Sequence, residues 1–258
     1  MRMLDPQPHE RILDLCCGQG VLTRLLLERL GPPSGGDPGS HHARKRRGHE
    51  RSGRHAHAGP RSPDTRTAQI VAVDASARLI AAARARGPED PRVRWVVRDA
   101  TKLGDLADGT FDAAACVMAV QDVPDTEGLF RELGRALRPG GRAVIVMMHP
   151  CFRIPRQSDW GWDEEKKTQY RRIDRYLTPL DVPIATHPGR DPGQQTFFHH
   201  RPLHVYLTAL GQAGLGVTAA EEPVTHRSPP PGPRHKGQER AFAEIPIFLA
   251  LRAVRLVG

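Results

Sequence analysis

The chain of 258 residues contains no stretch of 18 apolar residues, and its N-terminus has no hydrophobic leader, so neither a membrane span nor a secretion signal is expected. Cysteine is scarce. The four present, Cys16, Cys17, Cys116 and Cys151, include no C-x-x-C pair, which argues against a zinc site or a disulfide framework and suits a reducing cytoplasm. No Lys-Ser/Thr pair follows the glycines at 18 and 20, so the phosphate grip of a P-loop is missing. A third glycine is missing too: Thr23 stands where a dinucleotide fingerprint needs one to let pyrophosphate approach the backbone. That absence, with the lack of a Tyr-x-x-x-Lys pair, weakens a nicotinamide-dependent oxidoreductase reading.

The net charge of +9 suggests nucleic acid as a partner, but +5 of it lies in residues 31–67. Those 37 residues hold 12 Gly or Pro and no Val, Ile, Leu, Met, Phe, Trp, Tyr or Cys, too little apolar surface to offset the entropy of ordering. The segment reads as a disordered Arg/Gly/His-rich insertion, in which Arg44, Lys45, Arg46 and Arg47 would attract polyanions only without sequence selectivity. Its histidines lack carboxylate or cysteine at ligand spacing, so no metal is expected. The remaining residues, about 220, suit one α/β domain spanning 1–258.

The most informative stretch is Ile12-Leu13-Asp14-Leu15-Cys16-Cys17-Gly18-Gln19-Gly20. An apolar run ends in an acid, breaks at a small-residue turn, and gives way to a helical pattern from Val21 to Leu30. That is a strand, a tight turn and a helix, with room for a nucleotide against bare backbone at the helix start. A second β-branched run, Ile70-Val71-Ala72-Val73-Asp74, ends in another acid. It lies 54 residues beyond Gly20, but only 17 once the 37-residue insertion is set aside, near the spacing at which a strand-two acid meets ribose hydroxyls. A further strand is expected at 93–100, carrying Asp99-Ala100 at its end, and another at 111–118; a helix end, Pro-Gly-Gly turn and fifth strand follow at 137–146.

In this order, over residues 10 to 150, the chain resembles the class I S-adenosylmethionine-dependent methyltransferases, with D-x-x-C-G-x-G, a strand-two acid, a strand-three D-A, an F-D strand and an L-R-P-G-G turn. The resemblance implies a Rossmann-like doubly wound α/β sheet of seven strands, mostly parallel with an antiparallel C-terminal edge strand. It implies S-adenosylmethionine as cofactor and in-line methyl transfer to a small-molecule acceptor. Asp14 would anchor the turn or approach the cofactor's amino group, while Cys16, Cys17, Gly18, Gln19 and Gly20 would form the turn around its methionine portion. Asp74, with Ala75 beside it, would bind the ribose diol. Asp99 and Ala100 would contact the adenine, and Val117 and Met118 would face the transferred methyl. Cys16 stands where many members have glycine, so slightly altered turn packing is expected.

Beyond residue 148 lies the region expected to choose the substrate. Residues 149–202, rich in Pro, Gly, His and aromatics, read as an insertion that covers it. His149, at the end of strand five, and His199 are candidates to deprotonate or orient a hydroxyl or amine acceptor. The plainer readings are a loop hydrogen-bonder for His149 and a structural contact for His199. Arg153, Trp160, Tyr170, Arg201 and Tyr206 are candidate substrate-binding residues, the aromatics serving either as cavity wall or as packing. Pro150-Cys151 has the look of an RNA cytosine methyltransferase nucleophile, but no second Pro-Cys follows strand four, so an RNA substrate is disfavoured. A helix over 203–213 stopped by Gly214, and an antiparallel edge hairpin near 215–221 and 246–254 with a Pro-rich loop at 228–233, complete the reading. With strand one starting near Arg11, the family's usual N-terminal helical cap is not in evidence, which keeps open a catalytically weakened cofactor-binding protein of the same fold.

Overall fold

The computed structural model describes residues 1–32, 68–87, 89–184 and 196–257. The insertion expected at 31–67, with its basic run 44–47, therefore lies outside the described residues from 33 onward, as do 185–195 of the expected lid.

Short apolar runs make the central strands because each is buried on both faces. β1 (Arg11–Leu15) has four buried residues of five, β2 (Gln69–Asp74) four of six, and β4 (Phe111–Val117) five of seven. β3 (Val93–Val97), near one sheet edge, alternates more exposed positions. The helices α1 (Val21–Leu30), α2 (Ala77–Arg86) and α3 (Thr126–Ala136) link these parallel strands. α2 and α3 start on side-chain caps, Ser76 and Asp125, whose oxygens accept amide hydrogens that the first turn leaves unpaired. β5 (Leu137–Met148) follows α3 directly. Pairing with β4 shifts register between Phe111 and Ala113, which takes up the Pro139-Gly140-Gly141 turn within the strand.

After β5 come two antiparallel hairpins, β6 (Ser158–Asp163) with β7 (Thr168–Ile173), and β8 (Leu180–Ile184) with β9 (Thr196–His200). α4 (Leu203–Gln212), β10 (Leu215–Glu221), α5 (His235–Glu244) and β11 (Phe248–Arg255) finish the chain. The seven-stranded sheet runs β10-β11-β5-β4-β1-β2-β3, parallel except for β11, which is antiparallel to both β5 and β10. The C-terminal hairpin thus inserts its last strand between β5 and the edge strand β10. Gly214, at φ 71°, turns the chain out of α4 into β10.

The Pro-rich stretch 228–233 is a loop, as expected, but past it the connection between the last two strands forms α5, an element not expected from the sequence. Its sequence is polar, and Ala241 is its buried residue. It exists because the β6–β7 hairpin gives it a surface: Trp160 packs 5.4 Å from Phe242, and the Arg234 guanidinium lies 5.1 Å over Trp162. The principal core, built around Leu13, Leu15, Phe111, Phe130, Ile145 and Tyr206, locks the sheet to α3 and α4. No helix among the described residues is long and apolar enough to cross a membrane.

Candidate cofactor and acceptor site

The parallel strands β1, β2, β4 and β5 end on one edge of the sheet, where ligands bind in open α/β folds. The turn after β1 is held by two acids with different tasks. Asp14, 2 % exposed, accepts a 2.5 Å hydrogen bond from Thr23 Oγ1 and so ties the strand end to the first turn of α1. This gives Thr23, fully buried, a structural reason to occupy the position of a third glycine. Asp74 Oδ2 accepts the Gly18 amide at 2.9 Å, and Oδ1 accepts the Ser76 amide at 2.8 Å. Each oxygen keeps a lone pair for a hydroxyl, as a ribose diol requires.

Burial raises the Asp14 carboxyl to about 7, with the Asp74 charge adding to the rise and Thr23 opposing it. The folded chain then keeps a proton that the unfolded chain releases from about pH 4 upward. Stability is full below that and falls as pH rises to about 7, then levels, by at most about 4 kcal/mol. Asp14→Asn, which keeps an acceptor for Thr23, is expected to flatten this fall. Urea denaturation at pH 5 and pH 8 would show it, and an undiminished slope in the variant would assign the fall to other groups.

The bend itself needs backbone that most side chains resist. Gly18 and Gly20 have φ of 55° and 72°, and Cys16 takes the same left-handed region at 58° despite its side chain. At Gly20 a Cβ would sit 2.5 Å from the Trp95 ring. The Cys17 amide donates to the Val73 carbonyl at 2.9 Å, closing the turn onto β2. A thiol–thiol hydrogen bond with Cys116 and burial push the Cys16 thiol well up, and burial does the same to Cys17, so both remain protonated packing groups.

A cavity of about 440 Å³ opens beside this bend, lined by Gln19, Val21, Met118, Gln121 and Met148 among others. Gln121, 3 % exposed, donates Nε2 to the Met118 carbonyl at 2.8 Å, while its Oε1 has no hydrogen-bond partner. A buried acceptor without a donor is unusual, and this one lies within the cavity wall, itself shielded from solvent. Among the described residues, no lysine or arginine lines this cavity; Asp122 does. Gln19 and Gln121 set the glycine bend and the turn after β4 against this cavity, while Asp74 holds the bend through the Gly18 amide without itself lining the cavity. Val97 and Val117, 50 % and 37 % exposed, add apolar surface at the ends of β3 and β4. Gln121 was not anticipated; its signal is a polar residue just past the end of β4, meaningful only once that end is known to face the site.

The other sequence candidates divide sharply. Ala75 is exposed beside Asp74. Asp99 stands past β3 with Oδ1 accepting from Thr101 N and Oγ1, both at 2.8 Å, and Ala100 is buried in the core. Met118, at φ 57°, faces both this cavity and a second of about 600 Å³, which Arg153 and Trp160 also line. His149 is turned away: Nδ1 accepts the Cys151 amide at 3.1 Å, leaving the proton on Nε2, which meets Glu222 at 2.8 Å. Its neighbour Met148 takes the cavity side, because successive residues of a strand face opposite ways. The same alternation gives Phe198 to the cavity, while His199 bonds Asp181 at 2.7 Å across the hairpin. Tyr206, 2 % exposed, packs in the core, and Arg201 donates to the Val123 and Pro124 carbonyls. Tyr170, 47 % exposed, lies across Gly161 on the hairpin face opposite Arg171. Cys151 sits 3.5 Å from the Tyr176 hydroxyl.

Residues 52–145 match the family model described as a methyltransferase domain. The chain is 32 % identical over 179 residues to the 2-phytyl-1,4-naphtoquinone methyltransferase of Thermosynechococcus vestitus, covering 69 % of this chain and 57 % of that one. It is 33 % identical over 143 residues to the ubiquinone/menaquinone biosynthesis C-methyltransferase UbiE of Caulobacter vibrioides, covering 55 % and 46 %. The chain thus spans about half the length of these relatives. A solved S-adenosylmethionine-dependent methyltransferase from Mesorhizobium loti superposes with a TM-score of 0.64 at 27 % identity, covering 98 % of this chain and 94 % of that one. By sheet order, by the ordered motifs around the glycine bend and by these likenesses, the chain is similar to the class I S-adenosylmethionine-dependent methyltransferases, and residues 52–145 match their methyltransferase domain.

Proposed function

We propose that the protein transfers a methyl group from S-adenosylmethionine to a small-molecule acceptor. The observation that carries the reading is that Met118 and Met148 line both the cavity at the glycine bend and the larger cavity beyond the ends of β4 and β5. Donor and acceptor would meet across these two side chains. Relatives named for naphtoquinone and for ubiquinone/menaquinone methylation support an acceptor of small-molecule class.

When bound, S-adenosylmethionine supplies an electrophilic methyl on a sulfonium; everything else falls to the chain. The bend, Asp74 and Gln121 fix one reactant. Trp160, Phe242 and Phe248 give the other an apolar wall, and the two methionines keep water from the space between. Holding two reactants in line in this way supplies several orders of magnitude in rate without a covalent step. Among the described histidines, His226 lines the acceptor cavity and is placed to take a proton from an acceptor that carries one. The expected lid, the hairpins of 149–202, supplies Trp160, Arg171, Ile184 and Phe198 to these walls and would close the acceptor side. Four free cysteines favour action in a reducing cytoplasm.

The test is release of S-adenosylhomocysteine from labelled S-adenosylmethionine across a panel of phenolic, amine and carboxylate acceptors, with an Asp74→Ala control. Turnover with one or more acceptors, abolished in the control, is expected. Release at the control's level across the whole panel would overturn the proposal.

A further inference from the structure

The larger cavity carries more positive charge than a neutral acceptor needs. Three arginines from separate parts of the chain line it: Arg153 from the loop after β5, Arg171 from β7 and Arg227 from the connection between β10 and α5. Arg153 and Arg171 also line the adjoining cavity of about 460 Å³ beneath the β8–β9 hairpin. Among the described residues, no carboxylate forms an ion pair with any of the three. The Arg153 guanidinium lies 5.5 Å over Phe248, and that of Arg171 lies 5.1 Å over Trp160. Arg171 is held in place by the Phe152 carbonyl at 2.7 Å and Ser158 Oγ at 2.9 Å.

Like charges gathered at a partly desolvated wall repel one another, and the cost is recovered only when an anion joins them. Burial and the neighbouring Arg227 both weaken the hold of Arg153 on its proton; burial does the same to Arg171, against an opposing pull from Asp159 that exceeds the push from Arg153. An arginine fork stacked on an aromatic ring, as at Arg153, presents its N–H edge, and with a second guanidinium beside it suits the oxygens of a carboxylate or phosphate.

We infer that the methyl acceptor is an organic anion whose flat or apolar body lies against Trp160 and the two methionines, with its carboxylate or phosphate held by Arg153 and Arg227 on the platform that Arg171 helps to fix. The inference rests on the methyltransferase reading for the word acceptor; the anion site itself stands on the arginines.

The experiment is isothermal titration of the full chain with 2-naphthoate, 2-naphthyl phosphate and the uncharged 2-naphthamide, each with and without saturating S-adenosylhomocysteine. At least one acid is expected to bind tenfold or more tighter than the amide, and the better of the two tells carboxylate from phosphate. Arg153→Gln and Arg227→Gln, singly and together, are expected to reduce that preference stepwise to none while leaving S-adenosylhomocysteine affinity unchanged. Arg227 is exposed on a connecting segment, so its variant keeps the test sound if Arg153→Gln disturbs folding. Equal affinity for acid and amide, no binding of either acid at millimolar concentration, or a preference that survives the double variant would overturn the inference. A failure of S-adenosylhomocysteine alone to bind would instead remove the methyltransferase reading, with the acid-to-amide ratio still deciding the arginine site.

Discussion

Gly20→Ala is expected to destabilise the protein by about 2–5 kcal/mol. Its added methyl would begin 2.5 Å from Trp95 Cη2 and 3.2 Å from the Ala83 Cβ, in a backbone at φ 72°. Overpacking of this kind costs about 1–3 kcal/mol, and a left-handed conformation about 1–2 more for a residue with a Cβ. Trp95 packs with Cys17, Ala72 and Ile80 in a small cluster of its own, so it cannot retreat without opening that cluster. Because the two terms have different partners, they separate experimentally. Trp95→Leu in the Gly20→Ala background should recover the packing part and leave the backbone part. A urea-unfolding cycle over the four proteins measures the coupling. A loss below about 1 kcal/mol for Gly20→Ala, or no coupling to Trp95, would mean the bend does not depend on that contact.

Asp74→Ala is expected to weaken S-adenosylhomocysteine binding by about 10- to 100-fold. The carboxylate bonds two backbone amides, Gly18 and Ser76, and offers its remaining lone pairs to the ribose. Hydrogen bonds to a charged group contribute about 1.5–3 kcal/mol, which sets the range. Since the Gly18 amide loses its acceptor in the same variant, a lower melting temperature should accompany the weaker binding. Asp74→Asn keeps oxygen for one amide only and should fall between the two.

The fold could be read from the chain wherever an apolar run ended on an acid or a glycine. β1, β2, β3 and β4, together with α1, lie where that punctuation puts them, because a strand buried on both faces needs an unbroken apolar run. α5 could not be read, since a stretch such as His-Lys-Gly-Gln-Glu-Arg shows no apolar face and becomes helical on the β6–β7 hairpin. At the site, position was legible and direction was not. His149 and His199 sit beside the cavity in sequence, yet Met148 and Phe198 are the neighbours that face it, a difference of one residue in a two-residue repeat. Arg153, Arg171 and Arg227 are 18 and 56 residues apart, and only the hairpin and the β10–α5 connection bring them together. Gln121 is polar and near-central in a short turn, and its unpaired oxygen is a property of packing alone.

Isothermal titration of S-adenosylmethionine into the full chain, beside the Asp74→Ala variant, asks the central question directly. Saturation at one site per chain, weakened at least tenfold in the variant, is the predicted result. No heat of binding in the natural sequence, or equal affinity in the two proteins, would contradict the claim that the glycine bend and its carboxylate form the cofactor site.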